Sequence, residues 1–172
     1  MTPKAVMAFG YDIESHFPII ADGRAQFRIV SKDGGYTTHH QKMITPFIIS
    51  NRSVFVTTYH VHSDTIDGQY TLVRSSKGND SISDREAEAV GDDVEADFIL
   101  FWVNCVPLDE NRMKVQFIFH LNLGGTIPQM LREKISAKQA GFIDTIANHF
   151  NSHKPQIEQS FTKCEAKINA EI

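Results

Sequence analysis

Eight histidines, two cysteines and a run of carboxylates are the residues of this chain whose types could do chemistry. His60 and His62 are two apart in a segment that alternates as a strand, so both leave one face. Such a pair could supply two of the three or four ligands of a zinc site. No third ligand follows from the sequence, and His39 and His40 fall on opposite faces of their own strand, so no metal is expected. Cys105 lies in the most apolar segment and Cys164 on the apolar side of the last helical stretch; each reads as a buried, inert thiol. Two cysteines make neither a disulfide framework nor a four-thiolate zinc site. A strained G-x-S-x-G turn is absent. Leu123-Gly124-Gly125 leads from a strand into a helix without the lysine of a phosphate loop. Glu86, Glu88, Asp92, Asp93, Glu95 and Asp97 miss the calcium-loop spacing and read as a solvated face. For an enzyme, the strand-borne candidates would be Arg52, His60, His62 and His120, each needing desolvation in a cavity.

The elements that must position these groups follow from periodicity. Ala5, Val6, Phe9 and Ile13 recur at helical spacing after Thr2 and Pro3, with Gly10 weakening the middle. Residues 25–30 and 36–42 alternate as strands around a Lys32-Asp33-Gly34-Gly35 turn. The apolar stretch 44–49 is broken by Pro46 and reads as a loop carrying exposed grease. Strands are expected at 54–61, 69–76 and 85–90, with a polar loop at 77–83. The strongest hairpin joins 96–106 to 113–123 through a four-residue turn. Thr126 caps an expected long helix whose Ile127, Met130, Leu131, Ile135, Phe142, Ile146 and Phe150 fall largely on one face. Pro155 interrupts, and Ile157, Phe161, Cys164 and Ile168 mark a shorter amphipathic stretch. Strands segregated from a terminal helix indicate an α+β fold.

Composition narrows the classes. The 172 residues are 41% hydrophobic and 22% charged, ordinary for one globular domain. A chain of this length buries roughly 70% of its unfolded surface and needs no staple. The net charge of −4 offers no footprint for nucleic acid. No segment approaches the roughly 20 apolar residues of a membrane span, and the start lacks a signal-peptide pattern. An intracellular, most simply cytoplasmic, protein is expected.

From residue 44 onward the chain resembles the START family of lipid-binding domains. The matching pieces are Ile49-Ser50-Asn51-Arg52-Ser53-Val54-Phe55-Val56, then Asp67-Gly68-Gln69-Tyr70-Thr71-Leu72-Val73-Arg74-Ser75-Ser76, then Leu121-Asn122-Leu123-Gly124-Gly125-Thr126-Ile127-Pro128. Residues 2–22 also look like the family's second helix, so the resemblance covers about residues 1–150, with 151–172 as an amphipathic extension. It implies a helix-grip fold: a curved antiparallel sheet wrapped around a long C-terminal helix, with one lipid in the tunnel between. The implied function is non-enzymatic lipid binding or transfer, for a sterol, phospholipid or other apolar ligand, with no cofactor. The implied gate is the loop 42–50, where Phe47 and Ile48 would touch a membrane transiently. The implied tunnel residues are Arg52, Tyr70, Phe101, Phe117, Phe119, Ile127, Met130, Leu131, Ile135 and Phe142. Arg52 stands at the family's arginine position, but residues 25–30 offer no acid to pair with it and Ser53 replaces the usual aspartate. A phosphate headgroup or solvent is then the expected alternative partner of Arg52.

Relative to that family the chain is short at its front, which would leave strand 113–123 as an apolar sheet edge. Either the stretch 155–172 covers that edge, or a second copy or another protein pairs with it. The alternative function is accordingly a structural or assembly subunit that keeps the fold without lipid transfer.

Overall fold

The computed structural model describes residues 3–21, 23–33, 36–45, 49–63, 65–66, 68–76, 90–110 and 112–171. The expected N-terminal helix is two: α1, Pro3–Tyr11, and α2, Ile13–Ile20. The break falls at Asp12, two residues beyond Gly10. Its buried carboxylate turns inward and accepts hydrogen bonds from Ser15 Oγ at 3.0 Å and Ser160 Oγ at 2.7 Å. Gly10 is required for packing: a Cβ there would lie 2.1 Å from Tyr70 Oη.

The sheet contains β1 (Ala25–Asp33), β2 (Tyr36–Met43), β3 (Arg52–His62), β4 (Tyr70–Ser75), β5 (Val94–Glu95), β6 (Asp97–Pro107) and β7 (Met113–Asn122). The spatial order is β1-β2-β3-β4-β6-β7, with antiparallel neighbours throughout. The two-residue β5 pairs in parallel with the start of β3, Arg52 opposite Val94. The expected β6–β7 hairpin forms; β7 has one inward apolar face, whereas β6 is apolar on both faces and shifts register between Phe98 and Leu100. On β7, Met113, Val115, Phe117, Phe119 and Leu121 turn inward and are half-buried, while Lys114, Gln116, Ile118, His120 and Asn122 face out. The strand expected at 85–90 lies, but for Val90, outside the described residues.

The expected long helix over 126–150 is divided into α3, Gln129–Ala140, and α4, Phe142–Ser152. Gly141 separates them with its N–H still reaching Ala137 O; glycine costs a helix interior roughly 1 kcal/mol relative to alanine, so a bend falls there cheaply. The α3 segment begins after Pro128, and no Thr126 cap forms. None of the α3 side chains is fully buried, whereas α4 buries Ile146, His149 and Phe150.

Helix α5, Lys154–Glu171, packs along α1 and sends Ile157 and Cys164 into the core shared by Val6, Phe9, Leu72 and Phe150. Among the described residues it lies along α1 and not along β7, so it does not cover the edge strand in the way one sequence reading allowed. A buried polar chain draws α5 inward instead. Ser160 Oγ donates its single proton to Asp12, so His16 Nε2–H must donate to Ser160 Oγ, at 2.8 Å. His16 Nδ1 is then an acceptor, and His149 Nε2–H donates to it at 3.1 Å. Lys163 closes the chain on Asp12 as an ion pair. One proton direction therefore links α2, α4 and α5.

Candidate ligand-binding site

A cavity of about 320 Å³ lies between the concave face of the sheet and helices α2, α3 and α4. Its wall is mostly apolar, with six phenylalanines. Phe98 and Phe101 come from β6, Phe117 and Phe119 from β7, Phe17 from α2 and Phe142 from α4. The rings pack on one another: Phe98–Phe119 at 5.3 Å, Phe101–Phe142 at 5.7 Å and Phe117–Phe142 at 5.3 Å between centroids. Offset and edge-on pairs at such distances hold a wall rigid while leaving apolar faces toward the void. Met43, Thr45 and Ile49 line it from the β2–β3 connection, and Leu121, Leu123, Ile127 and Ile135 from the β7–α3 side. Leu121, Leu123, Ile127, Ile135 and Gln139 also border a more open, more polar groove of about 420 Å³.

The Leu123-Gly124-Gly125 segment explains itself here. Both glycines have positive φ, +62° and +57°, and a Cβ on Gly124 would lie 2.2 Å from the carbonyl oxygen of Glu95. The tight turn presents Leu123 O to Arg52 Nε at 3.2 Å, and Arg52 Nη1 donates to Ser50 O. Backbone carbonyls, not a carboxylate, thus satisfy the buried Arg52. Ser53, where the resemblance leads one to expect aspartate, donates to Asp93 Oδ2 at 2.8 Å, and Lys42 Nζ reaches the same oxygen at 2.8 Å. Asp93 belongs to the acidic run expected to be solvated, but its side chain is only 9% exposed. These partners hold its carboxyl below the usual range even though burial acts the other way.

Of the residues expected at a tunnel, Arg52, Phe101, Phe117, Phe119, Ile127, Ile135 and Phe142 line the cavity. Tyr70 does not. It shares the inward face of β4 with Leu72 and Arg74, and only Arg74 reaches the cavity; Tyr70 borders a void of about 40 Å³ near Val6 and Gly10. Met130, 62% exposed, and half-buried Leu131 also stand off the wall, because α3 turns Ile135 and Gln139 toward it. Phe47 and Ile48 lie outside the described residues, as does Pro46.

Sequence reasoning missed Arg74. It is 0% exposed and lines the cavity. Its guanidinium sits 5.3 Å from the Phe98 centroid, 5.6 Å from Phe101, 5.8 Å from Phe27 and 6.0 Å from Phe17. Nη2 donates to His39 Nε2 and, at 3.1 Å, to Gln41 Oε1. Burial lowers the Arg74 pKa to about 9, and burial with the adjacent guanidinium holds His39 neutral, as an acceptor must be. The alternation of Tyr70, Leu72 and Arg74 on one face was the available signal.

Of the other catalytic candidates, His60 and His62 are engaged with tyrosines and His120 is exposed. His60 Nδ1 meets Tyr70 Oη at 2.7 Å, its ring stacks 4.0 Å from Tyr11, and Tyr11 Oη meets His62 Nε2 at 3.1 Å. His120 faces outward from β7. Among the described residues, no three His, Cys, Asp or Glu side chains converge on a common point. No helix among them is long and apolar enough to cross a membrane.

No family model matches the chain, and no curated protein matches it. Solved structures do, in 28 chains. The lipid transfer and protein localization domain of human StarD13 superposes with a TM-score of 0.65 at 18% identity, over 84% of this chain and 70% of that one. Human STARD10 gives 0.64 at 13% identity, over 91% of this chain and 64% of its own. A STAR-related lipid transfer protein from Xanthomonas axonopodis gives 0.64 at 14% identity, over 88% and 80%. With six antiparallel strands curved over C-terminal helices and a cavity between, the chain has a START-like helix-grip fold.

Proposed function

We propose that this chain binds one lipid-like molecule in the cavity between sheet and helices, without catalysing a reaction on it. The observation that carries the reading is the phenylalanine-walled void of about 320 Å³, set where the fold opens between its sheet and α3–α4. That volume is at the lower end of ligand pockets, roughly 300–1,000 Å³, and suits a single-chain amphiphile better than a bulky two-chain lipid. Burial of acyl surface would drive binding, at about 0.8 kcal/mol per CH₂. The similarity to domains named for lipid transfer supports the same reading. Transfer would add transient membrane contact through the loop 42–50. Met43, Thr45 and Ile49 of that segment line the cavity, and Thr45 Oγ1 ties its ends by donating to Ile49 O at 2.7 Å.

Uptake of a fluorescent fatty acid analogue from vesicles tests this. Wild-type protein should extract it, and Ile135→Trp, which places bulk into the void from α3, should cut uptake several-fold with unchanged circular dichroism. No uptake by folded wild-type protein would defeat the reading.

One observation favours the second reading, an assembly role. The ten-residue β7 ends the sheet, and among the described residues nothing pairs with its outer edge. A second copy or another protein adding a strand there would cover it. Light scattering on purified protein that finds a monomer across working concentrations would count against self-pairing.

A further inference from the structure

The cavity's charged groups are of one sign. Arg24, Arg52, Arg74 and Lys138 line it, and its described lining residues include no Asp or Glu, in a chain whose net charge is −4. Arg24 and Lys138 are exposed at the outside, and Arg52 is held by the carbonyls of Leu123 and Ser50. Arg74 differs from all three. It is completely buried, only Nη2 has acceptors, and Nε and Nη1 have no hydrogen-bond partner among the described residues. The acceptors it has, His39 and Gln41, are neutral, so no counter-charge meets the guanidinium there. The rings of Phe17, Phe27, Phe98 and Phe101 surround it and offset part of the desolvation. A buried cation with idle donors is costly unless an anion completes it.

We infer that the ligand is an anionic amphiphile whose carboxylate or phosphate head enters first and is bound by Arg74, with its acyl tail running outward between Phe117, Phe119, Phe142 and Ile135. The inference rests on the lipid-binding reading above and adds to it the head chemistry and the orientation. A charged head accepting from Nε–H and Nη1–H replaces bonds that the fold leaves unmade. Neutral sterols and alcohols, which bring no charge, gain less from the same donors.

Titration of the full chain with laurate, dodecyl phosphate and dodecanol, which share one tail, decides it by calorimetry. The anionic head should tighten binding by roughly 10- to 100-fold over dodecanol, the scale of charge-assisted hydrogen bonds. Whichever of laurate and dodecyl phosphate binds tighter names the head. Arg74→Met should abolish the preference by weakening laurate and dodecyl phosphate at least tenfold more than dodecanol. It should also fold, because exchanging an uncompensated buried charge for an apolar side chain of similar length is often neutral or stabilising. Arg24→Gln and Lys138→Gln should leave the preference in place. Equal affinity of wild-type protein for all three ligands would overturn the anion assignment alone. Loss of the preference in Lys138→Gln but not in Arg74→Met would overturn the head-in orientation. Failure of all three to bind would overturn the lipid reading together with this one.

Discussion

Lowering the pH should unfasten α5 from the N-terminal helices, and the size of the effect follows from the buried histidine chain. His149 is buried and its pKa falls from 6.5 to about 4, first because burial disfavours the charged ring and then because His16 and His153 stand beside it. His16 is lowered too, mainly by burial and against the pull of Asp12. A folded-state pKa below the unfolded value means that the unfolded chain binds more protons, so stability is fully present above pH 6.5 and falls as the pH drops toward 4. For His149 the shift corresponds to about 3 kcal/mol, a large share of a typical total of about 5–15 kcal/mol. His16 adds to it, because protonating Nδ1 would set its proton against the proton on His149 Nε2. Urea unfolding followed by circular dichroism at stepped pH measures this. With a slope of about 1–3 kcal/mol per molar, the midpoint should fall by roughly 1–3 M across the window. His149→Gln, which keeps an N–H toward His16, should reduce the dependence and leave the part contributed by His16, His39, His40 and His62, which burial lowers in the same direction. A midpoint constant from neutral pH down to 4.5, or one that rises, would refute the proton ordering described for His16 and His149. Asp12 contributes in the same direction but at lower pH, because its own pKa is held below 3.8 by Lys163, Ser160 and Ser15 against the opposing effect of burial.

Two glycine substitutions examine the packing. Gly124→Ala places a side chain at φ +62° and 2.2 Å from Glu95 O, and should destabilise by about 3 kcal/mol, read as a lowered melting temperature. Gly10→Ala gains roughly 1 kcal/mol of helix propensity. It also drives a methyl group into the buried Tyr70 hydroxyl, so a net loss of about 1–2 kcal/mol is expected; a higher melting temperature would show that α1 and β4 do not approach as described.

Strand pairing was the most legible part of the sequence. The hairpin 96–106/113–123 is legible because two long apolar segments flank a four-residue turn; β7 alternates strictly, whereas β6 is apolar on both faces and shifts register between Phe98 and Leu100. The helical third was legible in type but not in shape. Ile127, Met130, Leu131 and Ile135 share a spacing with Phe142, Ile146 and Phe150, yet Gly141 divides the helix; of the first group only Ile127, ahead of α3, is buried, whereas Ile146 and Phe150 of the second join the core. Periodicity reports which face is apolar and not whether the helix is continuous. Phe101, Phe117 and Phe119, named from the resemblance, lie on the inward face of their hairpin and line the cavity, while Phe17 and Phe98 of the same wall were not named. Arg74 was not named either, because an arginine beside two serines reads as a solvated strand end, and its burial depends on rings from β1, β6 and α2 that arrive from distant sequence. Arg52 was named from the resemblance, but its partners were not, because they are carbonyls set by the Gly124–Gly125 turn, and backbone acceptors leave no mark in residue identity.

Native mass spectrometry of the protein purified without added lipid tests the central claim most directly. The account predicts a folded species carrying one additional mass in the range of a single-chain amphiphile, lost in Ile135→Trp and released as a free ligand on unfolding. Bare protein mass alone, together with no uptake of any of laurate, dodecyl phosphate or dodecanol when these are supplied, would contradict it.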